Sequence, residues 1–312
     1  MGYDYDELGI SAGFGVSGFI LVLSTCICIY YSTYHVKHIV YPEAQYRLFP
    51  YLISPVVIGW LAWGELMMAH SPPFLKLISD LYTSITVICF VGYVFKMIGG
   101  VSVGEEIEYN KVKMERSFII NKSVRNLFRK IEMDSEENVR KYILRIWIFV
   151  YQFAAVVVIT SIIGLISRLV RGDDLYEQAD TSIDKVFIWL AIIRVISSIL
   201  AISRLKALSS TVSHISSVSH IKLSTKITAV QLSIMIQSIQ ALVISICIRI
   251  GVPRGDGYDS DEKAIWTTNT LICSEMLVLA FIMILLFPMK DYDRLKGIFS
   301  PINTAQINRS TE

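Results

Sequence analysis

Seven separate stretches of this chain are both long enough and apolar enough to cross a lipid bilayer. A hydrocarbon core about 30 Å thick requires roughly 20 apolar residues at the rise of an α-helix. The stretches that meet this requirement are residues 12–34, 48–69, 77–98, 143–166, 186–205, 227–250 and 264–288. Because lipid offers no hydrogen bonds to an open backbone, each stretch is predicted to be helical. The sequence therefore predicts an all-α polytopic membrane protein with seven transmembrane helices.

The composition agrees with this prediction. The 312 residues are 53% hydrophobic and 18% charged, whereas soluble domains carry about 25% charged residues. No stretch remains that would form a separate soluble domain or a basic surface for nucleic acid. We divide the chain into an extracellular N-terminus (residues 1–11), a transmembrane domain (12–288) with one long cytosolic loop (99–142), and a cytosolic tail (289–312).

The distribution of basic residues predicts the orientation. Of the 29 Lys and Arg residues, 19 follow the first, third, fifth and seventh stretches, and seven fall on the opposite side. Cytosolic loops of membrane proteins carry an excess of Lys and Arg. The N-terminus is therefore expected outside the cell and the C-terminus in the cytosol.

The long third loop contains a basic amphipathic pattern. Apolar residues recur there at helical spacing, and the positions between them are basic: Arg116, Lys122, Arg125, Arg129 and Lys130. Such a helix is expected to lie on the anionic cytosolic leaflet of the bilayer. A solvated linker helix explains the same pattern and stays open as an alternative.

Charged residues inside the stretches are candidate functional residues, because each costs at least about 2.5 to 3.5 kcal/mol in lipid. Arg194 and Glu275 lie at similar predicted depths below the outer face and have opposite charges. We expect them to form a pair, which acts either as a tie between helices or in contact with a substrate.

Polar residues also line two neighbouring stretches. Ser233, Gln237 and Gln240 follow the spacing i, i+4, i+7 on the sixth stretch, and Asn269 precedes Glu275 on the seventh. These side chains are expected either to hydrogen-bond the two helices together or to line a path for an amphipathic molecule. The sequence leaves both alternatives open.

Catalytic signatures are absent from the sequence. It contains no phosphate-binding loop, no nucleophile elbow and no HExxH motif, so we expect no enzyme activity and no cofactor. The five histidines lie at or beyond the ends of the stretches, without the paired acids of a zinc site. We interpret them as interfacial loop residues.

Several short motifs, in order, resemble the organic solute transporter alpha family and its seven-span relatives. Residues 35–38 read HVKH and are followed by YPEAQ at 41–45, similar to the His-x-x-His and Pro-x-x-Gln motifs of that family. The third stretch is Tyr-containing and is followed by Gly99 and Gly100, and the sixth runs from a Lys to a Gln. The most telling motif is NTLICSEM at 269–276, which leads to a terminal Phe-Pro at 287–288.

This resemblance implies passive, gradient-driven transport of amphipathic organic solutes, such as steroid- or bile-acid-like anions, across the plasma membrane. It also implies a single-span beta-type subunit as a partner, and it leaves assembly with further copies of the chain open. Some seven-span relatives act in membrane trafficking or lipid organisation, which is an alternative function and would place the chain in endosomal or other internal membranes. A seven-helix G-protein-coupled receptor is a further alternative, although the third and seventh stretches lack the Asp-Arg-Tyr and Asn-Pro-x-x-Tyr motifs.

Overall fold

The computed structural model describes residues 5–39, 42–68, 74–97, 136–171, 181–213, 222–250 and 260–288. These segments form seven α-helices, as the sequence predicts, and they contain no strand. In chain order the helices are α1 (Tyr5–Lys37), α2 (Pro42–Met67), α3 (Phe74–Met97), α4 (Glu136–Arg171), α5 (Thr181–Ser213), α6 (Leu223–Ile250) and α7 (Ser260–Leu286).

Six of these helices are long and apolar enough to cross a membrane over their described residues, and α5 is not among them. Its described stretch carries Arg194, Arg204 and Lys206, which interrupt the apolar run. Large apolar side chains cover the outside of the bundle, among them Phe19 and Leu285, at 71% and 77% exposure. An apolar exterior on this scale suits lipid rather than water. The multi-pass membrane fold is thus confirmed for six helices, and a membrane span by α5 stays a prediction.

Helix α2 lies at the centre of one half of the bundle, where it packs against α1, α3 and α7. The other half is a series of sequential neighbours, in which α3 contacts α4, α4 contacts α5, α5 contacts α6, and α6 returns to α7. Consecutive helices are usually adjacent in space, and the connections between α4 and α5, α5 and α6, and α6 and α7 are short. The buried core follows the α2, α3 and α7 interfaces and continues between α4, α5 and α6.

Two prolines lie inside α2, at Pro50 and Pro55. A proline has no N–H, so it leaves the carbonyl four residues earlier without its helical donor. For Pro55 this is the carbonyl of Tyr51, which instead accepts a hydrogen bond of 2.7 Å from the hydroxyl of Ser54. Nearby, the carbonyl of Pro50 accepts a hydrogen bond of 2.9 Å from Tyr82 of α3. At Tyr51 a side-chain hydroxyl thus satisfies a carbonyl that apolar surroundings would not.

A glycine permits close contact where α1, α2 and α7 meet. A Cβ added at Gly59 would lie 2.5 Å from Leu21 of α1 and 3.6 Å from Met276 of α7. Next to this contact, the hydroxyl of Ser24 donates to the carbonyl of Met276 at 3.4 Å. Small residues at helix interfaces allow backbones to approach in this way.

Helix α4 begins at Glu136, seven residues before the apolar stretch that starts at 143. The early start is expected, because Asp134 followed by Glu137 resembles a capping box. The basic residues of the third loop, Arg116, Lys122, Arg125, Arg129 and Lys130, lie outside the described residues, so the membrane-surface helix stays a prediction.

Candidate functional site

The α6–α7 seam is our name for the polar residues predicted on these two helices, which are Ser233, Gln237, Gln240, Asn269 and Glu275. Two of these residues, Gln240 and Glu275, are in direct contact. The amide nitrogen of Gln240 donates to both carboxylate oxygens of Glu275, at 2.8 Å to Oε1 and 3.3 Å to Oε2, in the amide orientation that satisfies both groups. A carboxylate in an apolar bundle requires such donors, because water is not available to solvate it. The structure therefore brings Gln240 and Glu275 together, as the sequence suggested for this pair of helices.

The other seam residues have different surroundings. Asn269 is buried in α7, with 2% exposure. Ser233 donates to the carbonyl of Ala229 in its own helix at 3.0 Å, so its hydroxyl is already satisfied. Gln237 is half-buried, and its amide has no hydrogen-bond partner among the described residues. The seam thus contains one bonded pair, Gln240 and Glu275, and two further amides, of which that of Asn269 is buried and that of Gln237 half-buried.

A second contact joins α6 to the end of α7. The Nζ atom of Lys226, whose side chain is fully buried, lies 5.0 Å from the ring centroid of Phe287 in a cation–π arrangement. Lys226 and Gln240 are 14 residues apart, which is about 21 Å along a helix. Gln237 lies on α6 between the two residues, Lys226 and Gln240, that make these contacts with α7.

Helix α6 is attached more extensively to α5 than to α7. The hydroxyls of Ser198 and Ser238 are 2.7 Å apart, and those of Ser209 and Ser224 are also 2.7 Å apart. Hydrogen bonds at both levels hold α5 and α6 as one unit. Within the described residues, α6 is therefore packed less extensively against α7 than against α5.

Arg194 does not pair with Glu275, and the predicted pair is wrong. Its guanidinium forms two hydrogen bonds with Asp80 of α3, from Nη1 to Oδ2 at 2.8 Å and from Nη2 to Oδ1 at 2.5 Å. The side chains are 17% and 3% exposed, so both charges are largely withdrawn from the surface. Counting residues gives depth in the bilayer but not direction around the bundle. Of the two acidic residues, the fold brings Asp80 to Arg194.

Asp80 is a charged residue within the third stretch that the sequence analysis did not single out. Besides Arg194, its carboxylate accepts a short hydrogen bond from Ser161 of α4 and lies 3.6 Å from Lys76 of its own helix. The cluster joins α3, α4 and α5 near the beginning of α3. A signal for it was present, since Asp80 falls inside the stretch 77–98 and follows Lys76 at the i, i+4 spacing of helical ion pairs.

Aromatic residues surround Phe287 at the opposite end of the bundle. The Phe287 ring lies 5.7 Å from that of Tyr51 and 6.3 Å from that of Tyr93, and Phe90 lies 5.3 Å from Tyr51. Edge and tilted contacts of this kind add to the stabilisation from burial. The ring that Lys226 contacts is thus packed against aromatic side chains of α2 and α3.

The histidine of the HVKH motif belongs to the same cluster. His35 is 4% exposed, and its Nε2 lies 3.2 Å from the carbonyl of Phe287, which also accepts a short hydrogen bond from Tyr31. The interpretation of His35 as an interfacial loop residue is therefore wrong. The nearby Gln45 donates to the carbonyl of His38 at 3.4 Å and ties the start of α2 to the end of α1. Motifs that are far apart in the sequence thus stabilise the same end of the bundle.

Comparison with known proteins agrees with these motifs. The sequence model of the family described as organic solute transporter Ostalpha matches residues 13–292, which cover most of the chain and part or all of each helix. A search of curated proteins and a search of solved structures return no significant match. The extent of the family match favours a transporter over the receptor alternative. The chain belongs to the organic solute transporter Ostalpha family.

Proposed function

We propose that this protein is a facilitative transporter of amphipathic organic solutes, with steroid- or bile-acid-like anions as the substrate class. The observation that carries the proposal is the α6–α7 seam, where Gln237 lies between the Lys226–Phe287 and Gln240–Glu275 ties. A half-buried amide at the boundary of two apolar helices suits a solute that is mostly apolar and has a few polar groups.

The chemistry of the seam suits such a solute. The amides of Gln237 and Asn269 can donate hydrogen bonds to an anionic group, and the Glu275 carboxylate can accept from hydroxyls on the solute body. Arg194 is neutralised by Asp80, which favours a structural tie over an attractor of anions. The sequence contains no nucleotide-binding motif, so the flux is proposed to follow the concentration gradient of the solute.

The proposed setting is the plasma membrane, with the N-terminus outside and the C-terminus in the cytosol. The excess of Lys and Arg on one side of the helices supports this orientation. A single-span beta-type subunit is the proposed partner, by family membership. Fusion of a protease-sensitive tag to each terminus tests the orientation, because only the N-terminal tag is expected to be cleaved on intact cells.

Uptake of a labelled steroid conjugate into vesicles that contain the purified protein tests the transport proposal. Uptake is measured with and without candidate single-span partners. Saturable uptake is expected with at least one of these compositions, and it should fall about tenfold in Gln237→Leu, because an apolar side chain leaves a bound polar group without its partner. Gln152→Leu is the matched control, since Gln152 is exposed on α4, and it should transport normally.

Two results would contradict the transport proposal. One is an equal loss of uptake in both glutamine variants at equal folded yield, which would separate transport from the α6–α7 seam. The other is the absence of saturable uptake with every partner, which would favour the trafficking or lipid-organising alternative.

A further inference from the structure

A lateral groove of about 400 Å³ lies between α5 and α6, on the side of α6 that faces away from the α7 seam. Its wall residues recur with the spacing of a single helix face, at 202, 206 and 209 on α5 and at 224, 228, 231 and 235 on α6. Leu232 and Met235 belong to the wall and are 47% and 39% exposed on the outer surface. The groove therefore opens towards lipid and not towards the centre of the bundle.

Two hydrogen bonds fix the relative position of the helices along the groove. Near the end of α5 and the start of α6, the hydroxyls of Ser209 and Ser224 are 2.7 Å apart. Seven residues later on α6 and seven residues earlier on the antiparallel α5, the amide nitrogen of Gln231 donates to the carbonyl of Ile202 at 3.5 Å. The groove thus has one end at the α5–α6 connection and another end deeper in the bundle.

The two ends of the groove differ in polarity. At the connection end and along the middle, the polar residues of the wall are Lys206, Ser209, Ser210, Ser224 and Thr228. At the deep end the wall is mostly apolar, with Ile202, Leu232 and Met235, and the Gln231 amide there is bonded to the carbonyl of Ile202. The groove is therefore amphipathic along the helix axes, with the polar part where the helices end.

The length of the groove corresponds to one leaflet of a bilayer. Ser224 and Met235 are 11 residues apart, which is about 16 Å at helical rise. Half of a hydrocarbon core about 30 Å thick is about 15 Å. A molecule that spans the groove therefore reaches from the headgroup level to the middle of the membrane.

The charge of the groove favours an anion. Lys206 is the one charged residue among those that line it, and Lys222 lies exposed at the start of α6, next to the polar end. A lysine near a helix end extends its ammonium towards the headgroups while its carbon chain stays in the apolar region. Basic residues between transmembrane helices at this level bind anionic lipid headgroups.

We infer that the α5–α6 groove binds an anionic phospholipid of the adjacent leaflet. The phosphate lies at the polar end of the groove, beside Lys206, and an acyl chain runs along Leu232 and Met235. A phospholipid adopts this orientation because its phosphate stays at the membrane surface and its chains lie parallel to the helices. The site is separate from the proposed transport seam, and the inference does not depend on transport.

Native mass spectrometry of the full-length protein tests the inference. The protein is released from micelles that contain equal amounts of phosphatidylserine and phosphatidylcholine, and the bound lipids are counted. The unmodified protein is expected to retain several times more phosphatidylserine. Lys206→Ala should reduce this preference at least threefold, and Lys206→Arg should preserve it, because the charge is what recognises the phosphate. Thr228→Trp should reduce total lipid retention, because the exposed Thr228 borders the groove and a large side chain fills it.

Lys141→Ala is the matched control, since Lys141 is exposed near the start of α4, at the same end of the bundle as the end of α5. Equal effects of the Lys206 and Lys141 changes would overturn the inference, because they would indicate general attraction of anionic lipid. Equal retention of the two phospholipids by the unmodified protein would also overturn it. So would complete release of phosphatidylserine by a steroid sulfate at equimolar concentration, which would assign the groove to an amphipathic solute. If Lys206→Ala does not fold, Thr228→Trp decides the result, since it leaves the lysine in place.

Discussion

Asp80 and Arg194 form a two-point ion pair that joins α3 to α5, two helices that do not follow each other in the chain. Both guanidinium bonds end on the same carboxylate, which Ser161 of α4 also contacts. Bidentate geometry of this kind is specific in direction as well as strong. The Asp80 carboxylate therefore joins α3, α4 and α5 at one buried site. Glu275 of α7 makes a separate contact, with Gln240 of α6.

Removal of either partner of this pair should strongly destabilise the fold. Arg194→Ala leaves the Asp80 carboxylate buried without its main counter-charge, and Asp80→Ala does the same to the guanidinium. The expected loss is about 3 to 5 kcal/mol for each single change. The double change Asp80→Ala with Arg194→Ala should recover part of this loss, as measured by thermal unfolding of the detergent-solubilised protein.

Arg145→Ala serves as the control for this prediction, because Arg145 is exposed on α4. It should unfold within about 0.5 kcal/mol of the unmodified protein. Additive losses in the double variant would show that the two side chains do not act as a pair.

The Gln240–Glu275 contact predicts that exchanging the two side chains preserves most of the stability, whereas changing one alone does not. Gln240→Glu places two carboxylates at about the distance of the present hydrogen bond and should cost about 1 to 3 kcal/mol at neutral pH. Addition of Glu275→Gln restores one amide and one carboxylate, with their positions exchanged, and should recover most of the stability. Thermal unfolding at pH 7 measures both effects. No recovery in the double variant would argue that the two side chains do not bind each other.

Gly59 and Gly15 form a matched pair of helical glycines. Gly59→Ala should destabilise the bundle by about 1 to 3 kcal/mol, because the new methyl group meets the fully buried Leu21 at 2.5 Å. At Gly15 no atom lies within 4 Å of an added Cβ. Gly15→Ala should therefore be neutral, or stabilising by up to about 1 kcal/mol through its helix propensity. Equal unfolding temperatures of the two variants would contradict the close α1–α2 contact.

The Ser54 hydroxyl and Pro55 predict a coupled effect within α2. Ser54→Ala removes the donor to the carbonyl of Tyr51 and should cost about 1 kcal/mol. In a Pro55→Ala background the new N–H can donate to the same carbonyl, so the cost of Ser54→Ala should fall. A double-mutant cycle of unfolding free energies measures the coupling. Identical costs in both backgrounds would show that the hydroxyl does not replace the missing backbone donor.

Much of the architecture could be predicted from the sequence. The number of helices and their approximate positions follow from the lengths of the apolar stretches, since lipid requires each stretch to satisfy its own backbone. The start of α4 at Glu136 also follows from a local signal, because helix caps involve residues a few positions apart. The motifs at 35–45 and 269–288 indicated the family, although their shared position around Phe287 was not apparent from the sequence.

The sequence by itself determined how many helices form and how deep each charge lies along its own helix. Only the tertiary structure decided which charges meet, because partner choice depends on the rotation of each helix and on its neighbours in the bundle. Residue counting made Glu275 a plausible partner for Arg194, yet packing places Asp80 beside the guanidinium and Gln240 beside Glu275. In the same way, His35 and Lys226 stand near helix ends in the sequence and become buried only because α1, α6 and α7 converge on Phe287.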